Sequence, residues 1–134
     1  MVIDTSALVA ILRGEPEAPA LARAIAADPT RLASAVSVLE AAIVMEARKG
    51  PSGGRELDLL LQKAGVDVVP LAREHVDLAR EAYARYGKAR HPAGLNLGDC
   101  CAYALARYSG EPLLFKGRDF SQTDVKSALD SPGG

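Results

Sequence analysis

The chain has 134 residues, of which 49% are hydrophobic and only 4% aromatic, and its formal net charge is −1. That length suits one domain and excludes two of ordinary size. The near-zero charge argues against a strongly basic nucleic-acid binder, but not against an enzyme that grips a nucleic acid locally beside an acidic site. With no tryptophan, the core must be made of Ala, Leu, Val and Ile.

The opening residues Met1-Val2-Ile3-Asp4 show no basic stretch followed by an apolar run, so no secretory signal is expected. The longest uninterrupted apolar run, Ala7–Leu12, has six residues, where a membrane span needs about 20. Cys100 and Cys101 are the only cysteines and are adjacent. They read as reduced thiols, which points to the cytoplasm.

Met1–Ile3 reads as a short strand ending at Asp4, and Thr5 or Ser6 is expected to cap a helix with Ala7, Leu8, Ile11 and Leu12 on one face. A second helix is expected from about Pro16 to Ala27, closed by Asp28-Pro29. Arg31–Ala35 suits a strand and Val36–Lys49 a helix, which the Gly50–Gly54 stretch is expected to end sharply. Arg55–Ala64, with Leu57, Leu60 and Leu61 facing the core, reads as a helix and Val66–Val69 as a strand. Ala72–Gly87 reads as a helix with Val76, Ala79, Ala82 and Tyr83 on one side. A loop over Lys88–Leu97, a helix over Gly98–Tyr108 and a strand over Leu113–Phe115 follow. Val125–Leu129 suits either an edge strand or a short helix, and the Pro-Gly-Gly end is expected to fray. Short apolar strands separated by longer helices predict an α/β layer structure with a mainly parallel sheet.

Four of the 17 acidic residues need explaining. Asp4 follows the first strand and Asp119 lies four residues beyond Phe115, both at strand ends where open parallel sheets line a ligand crevice. Asp99 opens an apolar helix after a loop. Glu40 lies in a helix apolar on nearly every side, where an unpaired carboxylate is costly. Each has an ordinary reading: Asp4 as a helix cap, Glu40 paired with an arginine, Asp99 as a charge favoured at a helix start, Asp119 as a turn residue. If the four converge, two carboxylates about 5 Å apart repel by roughly 3 kcal/mol at an effective dielectric near 20, so four cannot all stay ionised without a cation. All-oxygen donors select Mg²⁺ or Mn²⁺, and metal-assisted phosphodiester hydrolysis is the natural chemistry.

Val-Ile-Asp-Thr-Ser-Ala-Leu-Val at 2–9, Ser-Val-Leu-Glu at 37–40, Asn-Leu-Gly-Asp-Cys-Cys-Ala-Tyr-Ala-Leu-Ala at 96–106 and Leu-Leu-Phe-Lys-Gly-Arg-Asp-Phe with Thr-Asp at 113–124 resemble PIN-domain nucleases. Their spacing most closely resembles VapC toxins of bacterial toxin–antitoxin pairs, over nearly the whole chain. The resemblance implies one PIN-like domain over 1–134, a three-layer α/β/α fold around a mainly parallel sheet of about five strands. It also implies a Mg²⁺- or Mn²⁺-dependent endoribonuclease, an RNA substrate, a homodimer and inhibition by a cognate antitoxin. Asp4, Glu40, Asp99 and Asp119 match the four acids of such a site, with Asp4 and Asp99 the most direct metal ligands. Glu40 and Asp119 would bind a second ion, orient water or ligate through water. Ser6 matches a small hydroxyl residue beside the first acid. The family often has Asn or Asp where this chain has Arg118, a departure that adds positive charge beside the fourth acid.

Arg85, Lys88, Arg90 and His91, with Lys116 and Arg118, suit either a grip on the RNA backbone or a solvated helix end. Tyr83 reads as core rather than as a base-stacking platform. His75 and His91 lack zinc-ligand spacing, Gly50–Gly54 lacks the Lys-Ser/Thr of a phosphate loop, and the cysteines read as packing residues. Glu15 and Glu17 suit solvated faces. Two other functions compete. An aspartyl-phosphate enzyme would normally carry an acid where Ser6 stands, and a non-catalytic PIN-like binding module would not need all four acids.

Overall fold

In a computed structural model, residues 1–129 of the chain are described. Their order is β1 (Val2–Ile3), α1 (Thr5–Leu12), α2 (Ala18–Ala27), β2 (Leu32–Ser34), α3 (Ala35–Lys49), α4 (Pro51–Lys63), β3 (Asp67–Val69), α5 (Arg73–Tyr86), α6 (Leu97–Ser109) and β4 (Leu113–Leu114), then a 3₁₀ turn at Phe120–Gln122. The Pro-Gly-Gly end lies outside the described residues. Among those residues, no helix is long and apolar enough to cross a membrane.

The strands form one parallel sheet in the order β3-β2-β1-β4, with β1 paired to β2 on one side and β4 on the other. Successive side chains on a strand point to opposite faces, and two cores result. Val2 and Leu113 face one with Tyr86, Leu95, Tyr103 and Phe120, beneath α5 and α6. Ile3 and Leu114 face the other with Leu8, Leu21, Ala41 and Leu57, beneath α1 to α4. The layers are therefore the expected α/β/α. Leu57 is fully buried, and Leu60 and Leu61 pack against the same core.

The sheet has four strands among the described residues, not five. Where a fifth was expected, the chain makes a single parallel bridge from Leu113 to Ser127, flanked by Leu113 N–H to Lys126 O (2.8 Å) and Ala128 N–H to Leu113 O (2.9 Å). The Leu129 N–H donates to Ser127 Oγ (3.2 Å), bending the chain away from a longer ladder.

The Gly50–Gly54 break is also shorter than expected. Only Gly50, at φ +69°, separates the helices, and α4 starts at Pro51. Proline is tolerated there because first-turn N–H groups have no helical partner. Gly53 lies inside α4 for a packing reason: a Cβ on it would stand 2.3 Å from the Met45 carbonyl oxygen of α3. A Cβ on Gly54 would meet only the flexible Glu46 side chain, at 3.2 Å and beyond. Tyr83, expected in the core, is exposed at 42%, whereas Tyr86 is buried, packed tilted against Tyr103 and edge-on to His91. Gly53→Ala is expected to destabilise the chain by about 2 kcal/mol in urea unfolding, despite the better helix propensity of alanine. Gly54→Ala is expected to cost nothing, and equal effects of the two would refute the close-approach reading.

Candidate active site

All four strands run parallel, so their carboxyl ends share one edge. Asp4 follows β1 there and is itself the N-cap of α1, with Thr5 and Ser6 inside the helix rather than capping it. Its Oδ2 accepts from the Ser6 backbone N–H (3.0 Å) and from Ser6 Oγ (2.7 Å). Ser6 Oγ in turn accepts the Lys116 N–H (3.0 Å), which joins the chain leaving β4 to the first acid. Asp4 is only 3% exposed.

Glu40 sits in the second turn of α3. Its Oε1 accepts from Thr5 Oγ1 (2.7 Å) rather than from an arginine, and the same hydroxyl stands 3.1 Å from the Ser37 carbonyl oxygen. Asp99 lies in the first turn of α6 in a reciprocal cap. Its N–H donates to Asn96 Oδ1 (2.9 Å), and the Asn96 N–H donates to Asp99 Oδ2 (3.1 Å). Asp119 is exposed and precedes Phe120, whose buried ring packs 5.3 Å from Phe115.

Asp4 lies within electrostatic reach of Asp99 and Glu40, and Asp99 within reach of Asp119 and Glu40. Burial is the main force pushing the Asp4 carboxyl up to about 6, with the two neighbouring acids adding to it. Burial likewise raises Asp99, reinforced by Asp119 and Glu40. Among the described residues none of the four is in a salt bridge. Nor do any three described His, Cys, Asp or Glu side chains stand close enough to hold a metal ion together. The acids are near enough to raise one another's proton affinity, yet their oxygens are not gathered into one cluster. Their oxygens are the hard donors that Mg²⁺ and Mn²⁺ take, and neutral partners hold three of the four, so the donor set fits such an ion.

The basic side chains divide. Lys116 Nζ is paired with Glu15 and, at 3.4 Å, with Glu17, so these two acids fix a loop rather than sit idle in solvent. Arg85 reaches Asp124 (3.5 Å) and donates to Tyr86 Oη (2.8 Å). Asp124 also accepts from Tyr103 (2.5 Å) and Arg107 (2.9 Å), which pins the segment after Asp119 onto α6. Lys88, Arg90 and Arg118 have no acidic partner among the described residues, and Arg90 lies over the Tyr83 ring. Cys100 and Cys101 are buried, and burial raises the Cys100 thiol to about 11, so neither is a ready nucleophile. Both line an apolar groove of about 520 Å³ with Leu71, Val76, Tyr83 and Leu97.

Sequence reasoning did not find Thr5 as the partner of Glu40, nor the cap role of Asn96. The Asn96-x-x-Asp99 spacing was a usable signal for the second. Nothing in the spacing of Thr5 and Glu40, 35 residues apart, signals the first.

Asp4 binds its proton more tightly in the folded chain than at its ordinary value of 3.8. Its contribution to stability is therefore fully present below about pH 4 and lost as pH rises through about 6, where ionised Asp4 opposes folding by roughly 3 kcal/mol. Asp4→Asn is expected to be more stable than the parent at pH 7.5 in the presence of a chelator, by up to that amount. The gap should close at pH 4 in denaturant titrations; a gap independent of pH would contradict the assignment.

The PIN domain family model matches residues 1–126. A protein named Ribonuclease VapC from Mycolicibacterium smegmatis is 61% identical over 125 residues, covering 93% of this chain and 97% of that one. Among solved structures, the Mycobacterium tuberculosis toxin VapC20, described as cleaving the sarcin–ricin loop, superposes with a TM-score of 0.75 at 19% identity, over 92% of this chain and 95% of that one. A toxin–antitoxin complex from Klebsiella pneumoniae gives a TM-score of 0.71 at 16% identity, over 92% of each chain. With its parallel sheet, its acids at the strand ends and a family match over nearly its whole length, this chain belongs to the PIN-domain family, among its VapC members.

Proposed function

We propose that the chain is a Mg²⁺- or Mn²⁺-dependent endoribonuclease that acts in the cytoplasm as the toxin of a toxin–antitoxin pair and is inhibited by a cognate antitoxin. One observation carries the reading: Asp4, Glu40, Asp99 and Asp119 are coupled through space while none has a cationic partner among the described residues. A site whose charge is left uncompensated at the open edge of a sheet is suited to import its counter-charge from solution. The names of the relatives support the substrate and the partner: one is a ribonuclease, one a toxin that cleaves the sarcin–ricin loop, one part of a toxin–antitoxin complex.

Asp4 and Asp99 would hold the ion most directly, as the family resemblance implies, and each keeps Oδ1 free of hydrogen bonds. Glu40 and Asp119 would complete the charge, ligate through water or orient it. A bound divalent cation would supply neutralisation of the phosphate and a lowered pKa for the attacking water. Lys88, Arg90 and Arg118, which flank the segments carrying Asp99 and Asp119 in the sequence, would hold the RNA backbone.

Brief expression of the parent, followed by mapping of RNA ends, is expected to show new cleavage sites that vanish in Asp4→Asn and Asp99→Asn. In vitro, loss of two or more orders of magnitude in rate is expected for each variant. Equal cleavage by parent and variants would sink the proposal, and so would activity insensitive to a chelator.

A homodimer is part of the same proposal. Leu39, Ile43 and Leu97 are 61%, 60% and 76% exposed, a display of apolar side chains that a second copy would cover. Leu39→Glu combined with Leu97→Glu is expected to convert a dimer into a monomer in light scattering; a monomeric parent would refute it.

A further inference from the structure

Glu40 is held from two sides by residues that carry no charge. On one side the Thr5 hydroxyl, 9% exposed, donates to Oε1 at 2.7 Å. Its single proton has a second acceptor in the Ser37 carbonyl at 3.1 Å, which fixes the hydroxyl between α1 and α3. On the other side lies Gly98, buried in the first turn of α6. A Cβ there would stand 2.4 Å from Glu40 Oε1 and 2.9 Å from both Cδ and Oε2. The carboxylate therefore rests across the bare Cα of Gly98, in space that any side chain would fill. The φ of Gly98 is not in the left-handed region, so the glycine is there for this space and not for its backbone freedom.

We infer that Thr5 and Gly98 form a seat that positions Glu40, committing Oε1 to the hydroxyl and leaving Oε2 to face the other acids and their cation. Both are positioning residues: they act on the ion only through Glu40. The inference rests on the metal-dependent reading above. A glutamate has three side-chain torsions, and an unseated one would sample many rotamers before meeting an ion. Two fixed contacts remove that freedom before binding.

The seat separates metal affinity from stability in a way ordinary packing would not. Thr5→Val keeps the shape and deletes the donor, while Thr5→Ser keeps the donor and deletes a methyl group. Gly98→Ala improves helix propensity, and the atoms it displaces belong to the end of a flexible side chain, so the fold is expected to absorb it. The measurements are Mn²⁺ titration by calorimetry, with melting temperatures recorded in a chelator. Thr5→Val and Gly98→Ala are each expected to weaken Mn²⁺ binding by roughly tenfold, the scale of one hydrogen bond to a charged group. Thr5→Ser should bind within about threefold of the parent, and Gly98→Ala should melt no lower than the parent. Parent-like affinity in Thr5→Val and Gly98→Ala would overturn the inference. So would a Thr5→Ser as weak as Thr5→Val, or losses that track melting temperature across all three variants. A parent that binds no Mn²⁺ would instead fail at the first titration and take the metal-dependent reading down with it.

Discussion

Asp4 and Asp99, the one buried and the other half-buried beside further acids and without a cationic side chain against them among the described residues, are costly to ionise, and much of the local structure is arranged to withstand that cost. Asp4 is the most constrained, buried at the end of the central strand with its proton held up to about pH 6. Hydrogen bonds from Ser6 partly offset the loss of water, because donors to an ionised oxygen favour the charged form. The Asn96 backbone does the same for Asp99, and the Thr5 hydroxyl donates to Glu40. None of these donors carries charge, so the negative potential of the group survives. A lysine or arginine at the same positions would stabilise the folded chain more and leave less for an ion to do.

The sheet explains why the acids lie near one another. Its strands are two or three residues long, and all run the same way, so every chain segment leaving a strand emerges at one edge. β1 is central, with neighbours on both sides, and this puts Asp4 between the start of α3 after β2 and the loop after β4. The two apolar layers above and below fix that edge. Ile3 and Leu114 are locked under α1 to α4, while Val2 and Leu113 are locked under α5 and α6. Small residues bring the helices close, as at Gly53 against Met45, and aromatic bulk is confined to the α5–α6 side.

The loop that carries Asp119 is held differently from the other three acids. It is exposed, and its position depends on anchors at either end: Lys116 with Glu15 and Glu17 before it, Phe120 and the Asp124 network after it. Those anchors are surface or half-buried ion pairs and one buried ring, whereas Asp4 is carried by the central strand and the start of α1. The fourth acid therefore sits on the most exposed part of the site.

Local chemistry was legible in the amino-acid order. Apolar runs of strand length, the helical spacing of Leu57, Leu60 and Leu61, and the placing of Asp4 and Asp119 just past strands follow from hydropathy and turn residues, which act over a few positions. The layer architecture followed too, because parallel strands need helical crossovers. What required the tertiary structure was every relation between distant segments. That Thr5 holds Glu40 from 35 residues away, that Gly98 leaves room for it, that Glu15 clamps a loop near residue 116 and that Ser127 stops short of a fifth strand depend on packing in three dimensions. Glycine illustrates the division. In sequence Gly50, Gly53 and Gly98 are alike, yet the first is needed for its backbone angle, the second to let two helices touch and the third to seat a carboxylate. Conformational preference is a property of the residue, whereas the space beside it belongs to whatever the fold brings there.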